Sequence, residues 1–269
     1  MTHTDGIVKN AWGKLTRIMW SRTPNGKAVV FIHGFLGDSV TWDGFPSMIL
    51  RESRLSGYDV FFLEYPWADR AMLTATIVKD FFDDLFERPE KIFVSELRRI
   101  GREASNYTEV TIVAHCFGAI ITRLALLDAH EQGYTWVAKT KALLFAPAHL
   151  GADVVTLGQN ALGIFGEFAS ASTEMLKTKF PALIDLEAED GNATLESLRN
   201  RTQHFIDLGT GQFTIACEVL FGTDDRLVIQ GQFCSDPPFR VIPSVGHYDI
   251  CKPTASFTVP FDSLLSHLK

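Results

Sequence analysis

The stretch from residue 110 to 125 limits the fold of this chain more than any other. An apolar, β-branched run (Val110, Ile112, Val113) passes directly into Ala114-His115-Cys116-Phe117-Gly118-Ala119. A helical pattern then follows at once, with Ile120, Ile121, Leu124 and Leu127 on one face. A strand that feeds a helix through so short a turn belongs to a parallel sheet, because the helix has to carry the chain back along it. Such a turn tolerates only small residues two positions before and two after its centre, and Ala114 and Gly118 meet that demand. Cys116 then projects from the turn at a helix N-terminus, where free N–H groups and the helix dipole favour a thiolate and a bound oxyanion. A structural cysteine in an ordinary strand-to-helix turn would look the same, so other parts of the chain have to decide.

Further strand-like runs lie at 28–32, 60–63, 142–145, 213–221 and 239–242, and helix-like segments separate most of them. The alternation predicts a largely parallel sheet covered on both faces. Thr23-Pro24-Asn25-Gly26 has hairpin-turn chemistry and is expected to join a strand at 15–20 to the next. Phe93, Leu97 and Ile100 mark a second amphipathic covering helix, and the charges between 79 and 103 read as a solvated helical face. From 151 to 205 the strand signal stops. There Gly151, Gly158, Gly163 and Gly166 alternate with Leu157, Leu162, Ile164, Phe165 and Phe168, which we read as a mobile lid inserted in a single domain spanning 1–269. The plainer reading is a helical excursion whose apolar residues complete the core.

Composition narrows the partners. The 269 residues carry 25 Lys and Arg against 32 Asp and Glu, a net charge of −7 without a dense basic stripe, so nucleic acid is not expected. Lys9, Lys14 and Arg17 interrupt the N-terminal apolar residues and no stretch reads as a membrane span. The 4 cysteines show no metal-ligand spacing and read as reduced thiols, which makes a cytoplasmic protein the expectation.

Two more segments complete a chemical pattern. The run 28–32 leads into His33-Gly34-Phe35-Leu36-Gly37, a glycine-bearing turn after an early strand, where the Phe35 N–H can act beside that of Phe117 in an oxyanion hole. Late in the chain come Gly222-Thr223-Asp224-Asp225 and then Gly246-His247-Tyr248-Asp249. Nucleophile, acid and histidine therefore follow the order Cys116, Asp225, His247, which differs from the chymotrypsin and subtilisin orders. Asp224 is the alternative acid. Gly37-Asp38-Ser39 imitates another serine-hydrolase block, but His33–Leu36 intervene and no Asp stands three residues before His247.

With Thr41-Trp42 downstream, the His33–Gly37 segment resembles the oxyanion segment of the α/β-hydrolase superfamily. It is most similar to the lipase-like branch with GPI-inositol deacylases and serine-active-site-containing proteins. Phe145-Ala146-Pro147-Ala148-His149-Leu150-Gly151 and His247-Tyr248-Asp249-Ile250-Cys251-Lys252-Pro253 look like that branch's strand-end and histidine segments. The resemblance implies an α/β-hydrolase fold with a helical lid and a triad of Cys116, Asp225 and His247. It needs no cofactor and no metal.

The departure is the cysteine, since that branch carries serine at the elbow. Three readings stand side by side: a native cysteine, as in dienelactone hydrolases, a cysteine introduced for serine, or a protein without turnover. The first predicts hydrolysis of an ester or thioester through an acyl-cysteine. The 21 Phe residues favour a hydrophobic small-molecule substrate, with Leu36 and His149 placed to touch it. His149 also suits a structural hydrogen bond, and His115 should point away from the nucleophile because neighbours in a strand alternate faces. A silent ligand-binding or regulatory module and an acyltransferase are the alternatives.

Overall fold

The computed structural model describes residues 2–9, 14–164, 172–188, 191–208 and 215–268. Its centre is a sheet of strands β1 (His3–Lys9), β2 (Leu15–Ser21), β3 (Lys27–Ile32), β4 (Tyr58–Leu63), β5 (Glu109–His115), β6 (Thr140–Phe145), β7 (Ala216–Gly222) and β8 (Arg240–Ile242). The spatial order is β1-β2-β4-β3-β5-β6-β7-β8. β1 and β2 pair antiparallel, β2 meets β4 antiparallel, and every later pairing is parallel. The expected parallel sheet is therefore present. β4 is buried along its whole length, and β3 and β5 are buried beyond their first residues, as near-continuous Val, Ile and Phe runs require.

Helices α1 (Phe45–Ile49), α2 (Ala71–Glu87), α3 (Pro89–Ile100), α4 (Phe117–Glu131), α5 (Val154–Ile164), α6 (Thr173–Lys179), α7 (Ala182–Leu186), α8 (Ala193–Asp207) and α9 (Val259–Ser266) surround the sheet. None among the described residues is long and apolar enough to cross a membrane.

Three local expectations need correction. β2 and β3 do not form a hairpin, because β4 lies between them; the Asn25 N–H instead bonds the Gly57 carbonyl at 3.0 Å, tying the turn to the entrance of β4. The helix after Cys116 is not amphipathic: α4 is buried nearly all round, Arg123 included, because α2 and α8 pack over the side turned away from the sheet. The charges from 79 onward are not all solvated either. Lys79 is buried and pairs with Asp83 at 2.6 Å, whose carboxylate also accepts the Trp136 indole N–H at 2.8 Å.

The excursion between β6 and β7 forms α5 to α8. Leu157, Leu176, Leu183 and Leu186 in it are buried, as the core-completing reading expects, while Phe165, Gly166 and Phe168 lie outside the described residues. Buried Asp185 fastens it to the body. Its carboxylate accepts the Arg70 Nε–H at 2.9 Å and an Nη2–H at 2.8 Å, the Ala71 N–H at 2.6 Å and the Thr194 hydroxyl at 2.6 Å. The carboxylate thus caps the start of α2 while holding α7 against α8. Asp185→Ala is expected to cost about 1–3 kcal/mol, since it strands the Thr194 hydroxyl and the first α2 amide. A urea melt of the variant checks this.

Candidate active site

The sheet brings the sequence islands together because each follows the C-terminal end of a strand, the edge where open α/β sheets build their sites. β3 and β5 are neighbours with Ile32 opposite Ala114, so the turns after them meet. Cys116 stands between β5 and α4 with φ 51° and ψ −119°, a strained backbone held by its N–H to the Phe145 carbonyl at 3.0 Å and by the Ala119 N–H to its own carbonyl at 3.1 Å. Non-glycine residues persist there only when their surroundings enforce it, which happens mostly at functional sites. Leu36, in the facing turn, also has positive φ, at 62°. A Cβ on Gly34 would lie 2.8 Å from the Cys116 Cβ, and one on Gly118 would overlap the Ile32 and His33 carbonyl oxygens, so the two turns need both glycines to approach this closely.

The turn after β3 is fixed from behind. His33 is buried, stacks on Tyr65 at 4.1 Å, donates from Nδ1 to the Gly34 carbonyl at 3.0 Å and faces Glu64 at 3.7 Å. Tyr65 donates its hydroxyl to the His33 carbonyl. Burial opposes a charge on Glu64, yet His33 and the Ser39 N–H outweigh it and hold the carboxyl below its usual range. Phe35, which follows, buries its ring against Trp67 at 5.0 Å and Phe180 at 6.0 Å. Among the described residues no backbone carbonyl accepts the Phe35 or Phe117 N–H. Phe117 is the first residue of α4, where intrahelical acceptors do not exist.

At the other side, β7 ends at Gly222 and β8 at Ile242, and the loops beyond them carry Asp225 and His247. His247 Nδ1 donates to Asp225 Oδ2 at 2.8 Å with both residues buried. Asp225 Oδ1 accepts the Leu227 and Val228 N–H groups at 2.9 and 3.3 Å, which orients the carboxylate. Asp224 is exposed and, among the described residues, its side chain takes only the Thr223 hydroxyl at 3.1 Å. Nε2 of His247 bonds to nothing among the described residues. Burial works against charge on this imidazole, but Cys116 and Asp225 outweigh it and raise its pKa to about 10. The three residues singled out from sequence thus lie within one electrostatic unit.

Sequence reasoning missed His115. Its ring lies 4.7 Å from that of His247, and its Nε2–H donates to the His247 carbonyl at 2.9 Å. Burial, with His247 beside it, holds its pKa well below the ordinary value, so the ring is neutral. Strand alternation alone would turn it away from Cys116, but its Nδ1 and the Cys116 Cβ both border Gly34, and the loop after β8 wraps round to meet the ring; no local pattern announces a contact 132 residues apart.

A cavity of about 290 Å³ opens at this edge, lined by Phe35, Leu36, Thr41, His115, Tyr248 and Lys252. Leu36 lines this cavity, whereas His149 lines a different one of about 530 Å³, with Leu195 and Arg199.

Residues 29–251 match the family model described as the alpha/beta hydrolase family, and the chain belongs to that family of enzymes. Among solved structures, 2-hydroxy-6-oxo-6-phenylhexa-2,4-dienoate hydrolase from Rhodococcus sp. strain RHA1 is 13% identical, with 98% of this chain and 99% of that chain covered and a TM-score of 0.53. Carboxylesterase CesB from Bacillus subtilis is 14% identical over 97% of this chain and 90% of its own, at 0.50. Phospholipase PlaB from Legionella pneumophila reaches 0.56 at 16% identity, over 89% of this chain and 59% of its own. These likenesses are of fold. The comparison with curated proteins finds no match.

Proposed function

We propose that the chain hydrolyses a carboxylic ester or thioester of a hydrophobic small molecule through an acyl-enzyme on Cys116. The observation that carries this reading is the strained Cys116 backbone at the same sheet edge as the buried His247–Asp225 pair. With its pKa near 10, His247 carries a proton at neutral pH and pairs with a Cys116 thiolate. Sγ attacks the acyl carbon, and the Phe35 and Phe117 N–H groups receive the developing oxyanion. Collapse breaks the bond to the leaving alkoxide or thiolate, which takes the His247 proton. Neutral His247 then accepts a proton from water as its oxygen attacks the thioester carbon, and Sγ leaves as thiolate, restoring the pair.

The apolar walls support the substrate class: Leu36 lines the mouth, and the Phe35 ring joins Trp67 with Phe180 from the excursion. The excursion acts as a cap in this reading, since Asn160 on α5 faces the Tyr248 hydroxyl beside the mouth. The islands that resemble the GPI-inositol-deacylase-like branch suit a lipase-like use of the fold. A panel of aryl esters and thioesters of increasing acyl length tests the proposal. Turnover with a burst and an acyl adduct on Cys116, lost in Cys116→Ala, is expected. Binding without product would leave a silent module, and product only with added alcohols or amines would mean acyl transfer.

His115 enters as a positioning residue. Its bond to the His247 carbonyl fixes the loop that aims Nε2, so His115→Phe is expected to lower kcat by about tenfold to a hundredfold with KM little changed. His115→Gln, which can keep the donor, should recover most of it. Equal kcat in His115→Phe and the parent chain would show that the loop holds itself.

A further inference from the structure

The mouth cavity holds a positive charge that the proposed reaction does not use. Lys252 lines it together with Leu36, Asp38, Thr41, His115 and Tyr248. Among the described residues its ammonium makes no hydrogen bond and no ion pair, and it is not sealed from solvent, so a group entering the cavity can reach it.

The architecture fixes where this lysine stands. It lies on the loop that carries His247, between Cys251 and Pro253, both of them buried. Its N–H donates to the Asp249 carbonyl at 3.0 Å, and the Pro253 carbonyl packs so close to Gly44 that a Cβ there would meet it at 1.9 Å. The side chain is half-buried, and its charge reaches the buried His115 ring on the cavity wall, where it helps to hold that imidazole neutral. A charge felt by a buried ring is screened less than one held out in bulk water.

The other polar groups of the wall narrow the partner. Asp38 is exposed, lies beyond ion-pair distance of Lys252, and already accepts the Val40 N–H at 2.8 Å as the cap of a short helical turn. Water and salt screen such a carboxylate, so it balances the half-buried ammonium weakly. His115 spends its N–H on the His247 carbonyl, which leaves its other nitrogen an acceptor that repels an oxyanion. Thr41 accepts the Asp38 N–H at 3.1 Å and keeps its own proton to give. Negative charge is therefore best placed beside Lys252 and Thr41, away from the His115 ring, while Phe35 and Leu36 supply apolar wall. A substrate neutral throughout would leave the ammonium without a partner, and a cationic one would be repelled. We propose that Lys252 is a specificity residue, selecting substrates in which an apolar spacer joins the ester or thioester to an oxyanion, a carboxylate or a phosphate.

This inference rests on the hydrolytic reading, so its test pairs turnover with binding. Aryl esters whose acyl chains end in a carboxylate, a phosphonate, a methyl or a trimethylammonium group, at matched length, would be compared on the parent chain, Lys252→Met and Lys252→Arg. In the parent, kcat/KM for an anionic ester is expected about tenfold above that of the methyl-ended one, chiefly through KM. The ratio should drop close to one in Lys252→Met and be largely kept in Lys252→Arg, and the anion with the larger ratio identifies the class. In the parent it should also shrink between about 0.05 and 0.5 M salt, a reading that stands even if Lys252→Met fails to fold. Calorimetry with glutarate and with its neutral diamide supplies the binding arm, where Kd for glutarate should rise about tenfold in Lys252→Met. Turnover without an anion preference, or with one that survives in Lys252→Met, would overturn this proposal and leave hydrolysis standing. Lys252-dependent glutarate binding without turnover of any ester would overturn hydrolysis and keep the site, and the absence of both would overturn the two together.

Discussion

Asp225→Asn is expected to lower kcat by about three to four orders of magnitude in a chain that still folds. The carboxylate receives the His247 Nδ1–H at 2.8 Å and is itself fixed by the Leu227 and Val228 amides. Asparagine can occupy the same space and can keep an oxygen toward those amides. It cannot offer a negative charge to an imidazolium, and its NH2 favours the tautomer that leaves Nε2 protonated at the wrong stage. Asp224→Asn should change kcat less than about twofold, because an exposed side chain bonded only to Thr223 lies outside the unit. The measurement is kcat for the best aryl ester of the panel, alongside circular dichroism of each variant. Equal effects of the two substitutions would separate the carboxylate from the chemistry.

The sequence disclosed most where the governing interactions are local. The strand-to-helix turn at Cys116 and the glycine turn at His33–Gly37 could be read because each is a short stretch whose sterics select its residues: Gly34 and Gly118 have no room for a Cβ. The choice of Asp225 over Asp224 was less legible, since it depends on which carboxylate faces inward after β7, and only the described bond to His247 separates them. Non-local facts were not legible. Thr23-Pro24-Asn25-Gly26 has the chemistry of a hairpin turn, but strand order is set by which apolar faces must be covered, and β4 enters between β2 and β3. β1 went unread because Asp5, Gly6 and Lys9 dilute its alternation, although its ladder with β2 runs from His3 opposite Ser21 to Lys9 opposite Leu15. Lys79 and Asp83 look like solvated charges in sequence and become a buried pair only once Trp136 closes over them. The His115 bond to the His247 loop and the unpartnered ring of His149 belong to the same class: each depends on segments that meet only in the folded chain.

Iodoacetamide should single out Cys116 among the cysteines near neutral pH, and His247→Ala should remove that advantage. Burial pushes the Cys217 thiol up to about 11 and the Cys251 thiol up to about 12, and it raises Cys234 as well, so these three hold little thiolate at pH 7. Cys116 differs in having an imidazolium beside it whose pKa stands at about 10. Cys116 is itself buried, so its alkylation also requires the reagent to reach the sulfur. In His247→Ala the Cys116 alkylation rate should fall by more than about tenfold at pH 7, because the neighbouring imidazolium is gone. The same linkage acts on stability: a histidine whose pKa is raised from 6.5 to about 10 on folding contributes fully below 6.5, and that contribution is lost as pH rises through about 10. Cys116→Ala removes the sulfur that does most to raise it, so the alkaline loss of stability should begin at lower pH in that variant. Mass mapping of alkylated peptides across a pH series, paired with melts of the two variants, reads both effects. A Cys116 rate that ignores His247→Ala would mean that sulfur and imidazole are neighbours without coupling, and the hydrolytic proposal would fall with it.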